Sequence, residues 1–200
     1  MTDTVALTDR FQRALAYSTE LHAGQSRKGT SVPYIGHLLS VTGIALEHGA
    51  DEDEAIGALL HDAVEDAGGQ PTLMEIRKRF GDRVARIVEG CTDTDVVPKP
   101  PWQTRKEQYI EHLKMETDRS VLLVSGADKL SNVRAILSDY HEIGDAVWER
   151  FSGARDGTLW YYRTLSEIFT TKFDSPLSRE LARVVEQLLR ATAVVRGAGL

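Results

Sequence analysis

The chain has 200 residues, 42% of them hydrophobic, and a formal charge of −6, which suits one domain with a real core and argues against a nucleic-acid polymer as partner. A single cysteine, Cys91, excludes an internal disulfide and a Cys-based zinc cage. No apolar run approaches the ~20 residues that cross a bilayer, and residues 1–10 lack the apolar segment of a secretory signal, so a cytoplasmic protein without a membrane partner is expected.

Helical periodicity recurs almost throughout and strand alternation is absent, which predicts an all-α fold. Thr8 can cap a first helix whose apolar side runs Phe11, Ala14, Leu15 and Leu21, ending near Gly24. A polar segment, Gln25 to Pro33, carries Arg27 and Lys28. A second helix runs from about Ile35 to Gly49, with Leu38, Val41 and Ala45 inward. Acidic residues 51–54 then stand at the positive end of a central helix that Gly68-Gly69 terminates. Thr72 to Glu75, with Pro71 ahead, reads as a capping box opening a short helix that Gly81 closes. Cys91 to Trp102 is the one long irregular stretch, with Pro98, Pro100 and Pro101, and loops of that length are often functional. Helices are expected over Thr104–Glu116 and Asp118–His141, then Ala146–Phe173 with a break at Gly153–Gly157. Ser175-Pro176 caps a last helix with Leu177, Leu181, Val184, Val185 and Leu188 inward, and a frayed tail over Gly197–Leu200. A single domain over 1–200 is expected, its core at about 8–140 and C-terminal helices at about 146–196.

The chemistry concentrates in His61-Asp62-Ala63-Val64-Glu65-Asp66. Residues four apart share a helix face, so Glu65 is expected over His61 and Asp66 over Asp62. The surrounding Ala55, Ile56, Ala58, Leu59, Leu60, Ala63 and Val64 make this helix interior. Carboxylates are costly there unless paired or bound to a metal. His37, near the start of its helix, and Asp128, at the end of the uncharged run Val121–Ala127, complete a set of two imidazoles and two carboxylates. Those donors suit manganese, iron or another divalent ion of mixed N/O preference. Such an ion lowers the pKa of water and holds a phosphate oxygen, while Glu65 and Asp66 supply acid–base groups, one of them expected to have a raised pKa. Arg27, Lys28, Lys99, Arg105, Lys106, Lys129 and Arg134 suggest a small polyanion as ligand. Asn132, one turn past Asp128, could read a base or ribose. Arg77-Lys78-Arg79 reads as an exposed helix face, and His22 as a brace for the Arg27 segment.

Four stretches resemble the HD-domain phosphohydrolases, and more narrowly the RelA/SpoT-type alarmone hydrolases. They are His22–Gly29 with Pro33–His37; Ala58–Asp66; Phe80–Val88 with Cys91-Thr92-Asp93; and Ala127–Arg134. The resemblance implies an HD-domain helical bundle with one metal ion, usually Mn2+, held between central helices by residues matching His37, His61, Asp62 and Asp128. It implies catalytic carboxylates at Glu65 and Asp66 and nucleotide contacts at Arg27, Lys28 and Asn132. The reaction implied is removal of the 3′-pyrophosphate from (p)ppGpp, giving GDP or GTP and pyrophosphate. The extent of the chain resembles a stand-alone small alarmone hydrolase.

The sequence departs from the long enzymes of that family at Leu38, at Gly126 and in the tail, where Tyr161 is expected to stack on a base. Lys99 and Lys129 complete the expected substrate contacts. Substrate choice stays open between guanine alarmones, (p)ppApp and NADPH. A nucleotide-sensing module without chemistry is the alternative from another class, against which the retention of both Glu65 and Asp66 counts. Oligomeric state, and which acid carries the proton, also stay open.

Overall fold

The computed structural model describes residues 5–94, 96 and 98–194. The tail expected to fray, Gly197–Leu200, lies outside them, as do the first four residues and two positions of the proline-rich loop. The helices are α1 (Asp9–Leu21), α2 (Ile35–Glu47), α3 (Glu52–Leu60), α4 (Ala63–Asp66), α5 (Gln70–Phe80), α6 (Asp82–Cys91), α7 (Trp102–Met115), α8 (Arg119–Ile143), α9 (Ala154–Lys172) and α10 (Pro176–Val194), with a 3-10 stretch over Gly144–Arg150. Among the described residues the β-pairing is a single bridge, Ser26 to Pro33, so the all-α expectation holds. No described helix is long and apolar enough to cross a membrane.

The chain divides into two compact units. One comprises Met1–Pro100 with Glu116–Asp128, the other Pro101–Met115 with Lys129–Leu200. In the first unit, α3 packs against α1, α2 and α6. Its residues Ile56, Leu59 and Leu60 join Leu73, Ile76, Phe80, Val84 and Val88 in one buried cluster. Gly57 permits the close approach of α6, because a Cβ there would stand 2.6 Å from the Ile87 side chain. The start of α3 is pinned from several sides. Asp51 and Glu54 form a reciprocal capping box, Arg10 of α1 pairs with Glu52 and Asp53, and Arg83 of α6 pairs with Asp51. Ser120 donates to Glu54 at 2.8 Å, which fixes the first turn of α8. From there to Asp128, α8 is buried.

Two local expectations are corrected. The central helix is not continuous through the His-Asp pair, because α3 ends at Leu60 and α4 begins at Ala63. The carbonyls an unbroken helix would offer to Asp62 and Ala63 are engaged by side chains. His61 Nδ1 lies 2.8 Å from the Ala58 oxygen, and Ser18 donates to the Leu59 oxygen at 2.9 Å. The proposed cap at Thr72 also fails. Its hydroxyl donates to the Ala67 carbonyl, Glu75 pairs with Arg79, and α5 starts two residues earlier. Pro71 there occupies the first turn, where a missing N–H costs nothing.

In the second unit α9 packs against α7 and α10. The expected break at Gly153–Gly157 falls at residues 151–153, and Gly157 lies inside α9. Both glycines serve packing, since a Cβ at Gly153 would meet the Trp102 ring at 2.6 Å and one at Gly157 would meet it at 3.1 Å. Ser175 caps α10, accepting from the Ser178 N–H at 3.2 Å.

Candidate active site

The turn between α3 and α4 presents His61 and Asp62 beside His37, on the first turn of α2, and Asp128 on α8. Nε2 of His37 lies 3.2 Å from Asp128 Oδ1 and 3.7 Å from Asp62 Oδ2. Nε2 of His61 lies 3.0 Å from Asp62 Oδ2 and 3.6 Å from Asp128 Oδ1. The two imidazoles meet edge to face at 5.3 Å. His37, His61 and Asp128 are buried, while the Asp62 side chain keeps 21% of its exposure. All four residues singled out from the sequence therefore come together, and all belong to the first unit.

This cluster fits a divalent ion. Donor atoms on one first-row ion, with bonds of about 2.1 Å, stand roughly 3–3.5 Å apart, and the four His-to-Asp separations, 3.0–3.7 Å, come close to that. His61 Nε2 is buried with no hydrogen-bond partner. Its 3.0 Å approach to Asp62 is one that a cation can replace once Nε2 gives up its proton. The other ring nitrogen is held by the Ala58 carbonyl, which orients the ligand in the way metal-bound histidines are oriented. His37, His61 and Asp128 form a group able to hold a metal.

Without an ion the same atoms share protons. Burial pulls the His61 pKa down, but Asp62 and Asp128 outweigh it and hold the imidazolium well above the ordinary histidine range. Burial pushes Asp62 up, yet His61 and His37 keep it well below the ordinary carboxylate range.

The twin acids follow on α4. Glu65 accepts from Lys99 at 2.9 Å, and Asp66 accepts from Lys99 at 3.4 Å through Oδ1 and from Gln25 at 2.9 Å through Oδ2. Burial raises the Glu65 pKa, against the opposing pull of Lys99, so one acid of the pair is raised, as expected. Burial lowers the Lys99 pKa, but its bond to Glu65 prevails and raises it. Lys99, expected to contact substrate, thus has its ammonium committed to the two acids.

Sequence reasoning missed two side chains. Tyr34 donates to Asp62 Oδ2 at 2.6 Å, and Gln25 reaches Asp66. Both lie in the segment between α1 and α2, and Tyr34 is one turn before His37, a spacing that could have flagged it. Arg27 and Lys28 stand on the same segment, with the Arg27 guanidinium 6.0 Å from the Tyr34 ring centre. His22 braces the segment as expected, stacked on Tyr34 at 5.2 Å.

The remaining expected contacts belong to the second unit. Lys129 lies with its ammonium 4.8 Å over the Tyr109 ring, and Asn132 is half-buried on α8. Arg134 is ion-paired to Glu180. Tyr161 is a core residue, 5% exposed, packed among Trp102, Trp160 and Tyr162 with Lys106 5.1 Å from its ring. It has no open face to offer a base, which removes it from the substrate contacts.

An all-helical chain with a buried His/Asp cluster at metal-ligand spacing, flanked by two acids, defines a class of metal-binding helical domain. The chain belongs to the HD domain family, which it matches over residues 14–159. It is 38% identical over 130 residues to the guanosine-3′,5′-bis(diphosphate) 3′-pyrophosphohydrolase of Aquifex aeolicus, covering 64% of this chain and 18% of that one. It is also 38% identical over 121 residues to the Danio rerio guanosine-3′,5′-bis(diphosphate) 3′-pyrophosphohydrolase MESH1, covering 59% of this chain and 64% of that one. The chain thus spans less than two thirds of either curated relative. A solved metazoan orthologue of SpoT, described as hydrolysing ppGpp, shares the fold with a TM-score of 0.74 over 92% of this chain and 97% of its own, at 24% identity.

Proposed function

We propose that this chain is a metal-dependent pyrophosphohydrolase of guanosine alarmones, cleaving the 3′-pyrophosphate of (p)ppGpp with water to give GDP or GTP and pyrophosphate. The observation that carries the reading is the convergence of His37 and His61 on Asp62 and Asp128, each imidazole Nε2 within 3.0–3.7 Å of an oxygen of both carboxylates, with two further acids on the next turn. The activity named for the Aquifex and Danio relatives supports the choice of substrate.

The four side chains would hold one divalent ion, proposed as Mn2+ from the mixed nitrogen and oxygen donors. When bound, that ion supplies Lewis acidity toward a phosphate oxygen and acidifies water. The rest belongs to the chain itself. Glu65, raised by burial, suits the group that delivers a proton to the departing oxygen. Asp66 receives hydrogen bonds on both carboxylate oxygens, so it suits the group that accepts one from the attacking water and orients it. Lys99 donates to both carboxyl groups and holds them side by side. Arg27 and Lys28 are proposed to bind phosphate.

The test, on a nucleotide panel, is release of pyrophosphate from ppGpp, pppGpp and ppApp, and of inorganic phosphate from NADPH, with manganese and after chelation. Turnover of the guanosine alarmones that chelation abolishes is the expected result. Turnover confined to another nucleotide would move the substrate assignment, and binding without any turnover would leave a sensing module.

A further inference from the structure

The segment between α1 and α2 reaches the twin acids through a contact that metal binding and phosphate recognition leave unexplained. Gln25 Nε2 donates to Asp66 Oδ2 at 2.9 Å, and its Oε1 lies 2.7 Å from His22 Nδ1. The direction of this chain is fixed by chemistry. An ionised carboxylate only accepts, so the amide must turn its NH2 toward Asp66, and its remaining oxygen then requires a proton on His22 Nδ1. His22 is 4% exposed, and its other ring nitrogen is buried with no hydrogen-bond partner. The ring's polar contact is therefore spent on Gln25. The backbone holds Gln25 at both ends, its N–H donating to the His22 carbonyl at 3.0 Å and its carbonyl accepting from Tyr34 at 2.9 Å.

We propose that Gln25 is a positioning residue, keyed by His22, that fixes the rotamer of Asp66 so that one carboxylate oxygen is tied back and the acid is aimed for proton transfer. This rests on the reading of Asp66 as an acid–base group of a phosphohydrolase. A carboxylate with one oxygen anchored has lost a rotational choice before substrate arrives, so the benefit belongs to the chemical step and not to substrate binding.

The experiment is a double-mutant cycle in the whole 200-residue chain with manganese added, following pyrophosphate release from ppGpp, or the phosphate or pyrophosphate released from whichever nucleotide of the panel the wild type turns over. Gln25→Leu should lower kcat about tenfold, the low end for losing a partner that orients an active group, with KM within about twofold. His22→Phe, which keeps the stack on Tyr34 and removes Nδ1, should act in the same direction. In an Asp66→Ala background Gln25→Leu should have no further effect on kcat. The same loss in both backgrounds, or a change confined to KM, overturns the inference. A wild type that turns over no nucleotide overturns the functional reading instead. In that event the Gln25 side-chain amide resonance in 15N NMR still checks the contact: it should move in Asp66→Ala, and an unmoved signal overturns the inference by itself.

Discussion

The phenolic oxygen of Tyr34 donates to Oδ2 of Asp62 at 2.6 Å, the same oxygen that faces both His37 and His61. Burial and the neighbouring Asp62 carboxylate hold the Tyr34 pKa far above the ordinary phenol range, so the group stays a donor at every working pH. An outer partner of this kind orients a ligand and sets its charge. Tyr34→Phe should weaken metal affinity by about 10- to 100-fold while leaving the helical circular dichroism unchanged. Calorimetric metal titration reads the effect directly. Equal affinities for the variant and the wild type would mean that Asp62 is held by its neighbours alone.

Metal binding should release a proton. In the metal-free protein His61 is held protonated above its ordinary range by Asp62 and Asp128, and a metal ligand must be unprotonated. Affinity should therefore rise with pH through and beyond the normal histidine range. The sign for stability follows from the same shift. The folded pKa is the higher one, so the proton's contribution is fully present below the unfolded value of 6.5 and is lost as pH rises through the raised folded value. Chelated protein should lose melting temperature across that interval, and metal-loaded protein should not. Calorimetry in two buffers of different ionisation enthalpy counts the protons, and a zero count at neutral pH would contradict the protonation state assigned to His61.

Lys99 lies across two acids, 2.9 Å from Glu65 and 3.4 Å from Asp66. It opposes the upward pull of burial on Glu65. Lys99→Met removes that opposition, so the Glu65 pKa should rise further and the limb of the pH–rate profile that it governs should move to higher pH. If Glu65 donates the proton, the alkaline limb moves; if it accepts one, the acid limb moves. A profile displaced on neither limb would mean that Glu65 does not titrate in the rate-limiting step.

The convergence of His37, His61, Asp62 and Asp128 was legible because each is a polar residue in an apolar helical context, where burial without partners is costly. What the pattern could not supply were contacts made by residues distant in sequence. The interruption at His61 depends on Ser18, 41 positions away from Leu59. The role of Lys99 depends on acids 33 and 34 positions earlier, so its charge alone suggested a phosphate ligand. Thr72 satisfied a capping pattern, but its hydroxyl found the Ala67 carbonyl. Tyr161 sits in an aromatic-rich stretch that reads equally as a stacking platform or as core. Burial decides between those readings, and burial there comes from the packing of α9 against α7.

Two glycines separate helix propensity from packing. Gly43, inside α2, has nothing within 4 Å of the position a Cβ would take. Alanine there should gain about 0.5–1 kcal/mol from the lost backbone freedom of the unfolded chain. Gly90, inside α6, gains the same propensity, but its Cβ would stand 2.7 Å from both γ carbons of Val121. Turning Val121 away cannot relieve the clash, because its own Cβ lies at 3.3 Å. Overpacking of about 1–3 kcal/mol therefore outweighs the gain, and Gly90→Ala should melt below the wild type while Gly43→Ala melts above it. Val121 lies in the buried stretch of α8 that leads to Asp128, so a shift forced there also moves a proposed metal ligand. Gly90→Ala should accordingly lose metal affinity as well as stability. A variant that melts lower yet binds metal as tightly as the wild type would show that the packing of α6 against α8 does not set the position of Asp128.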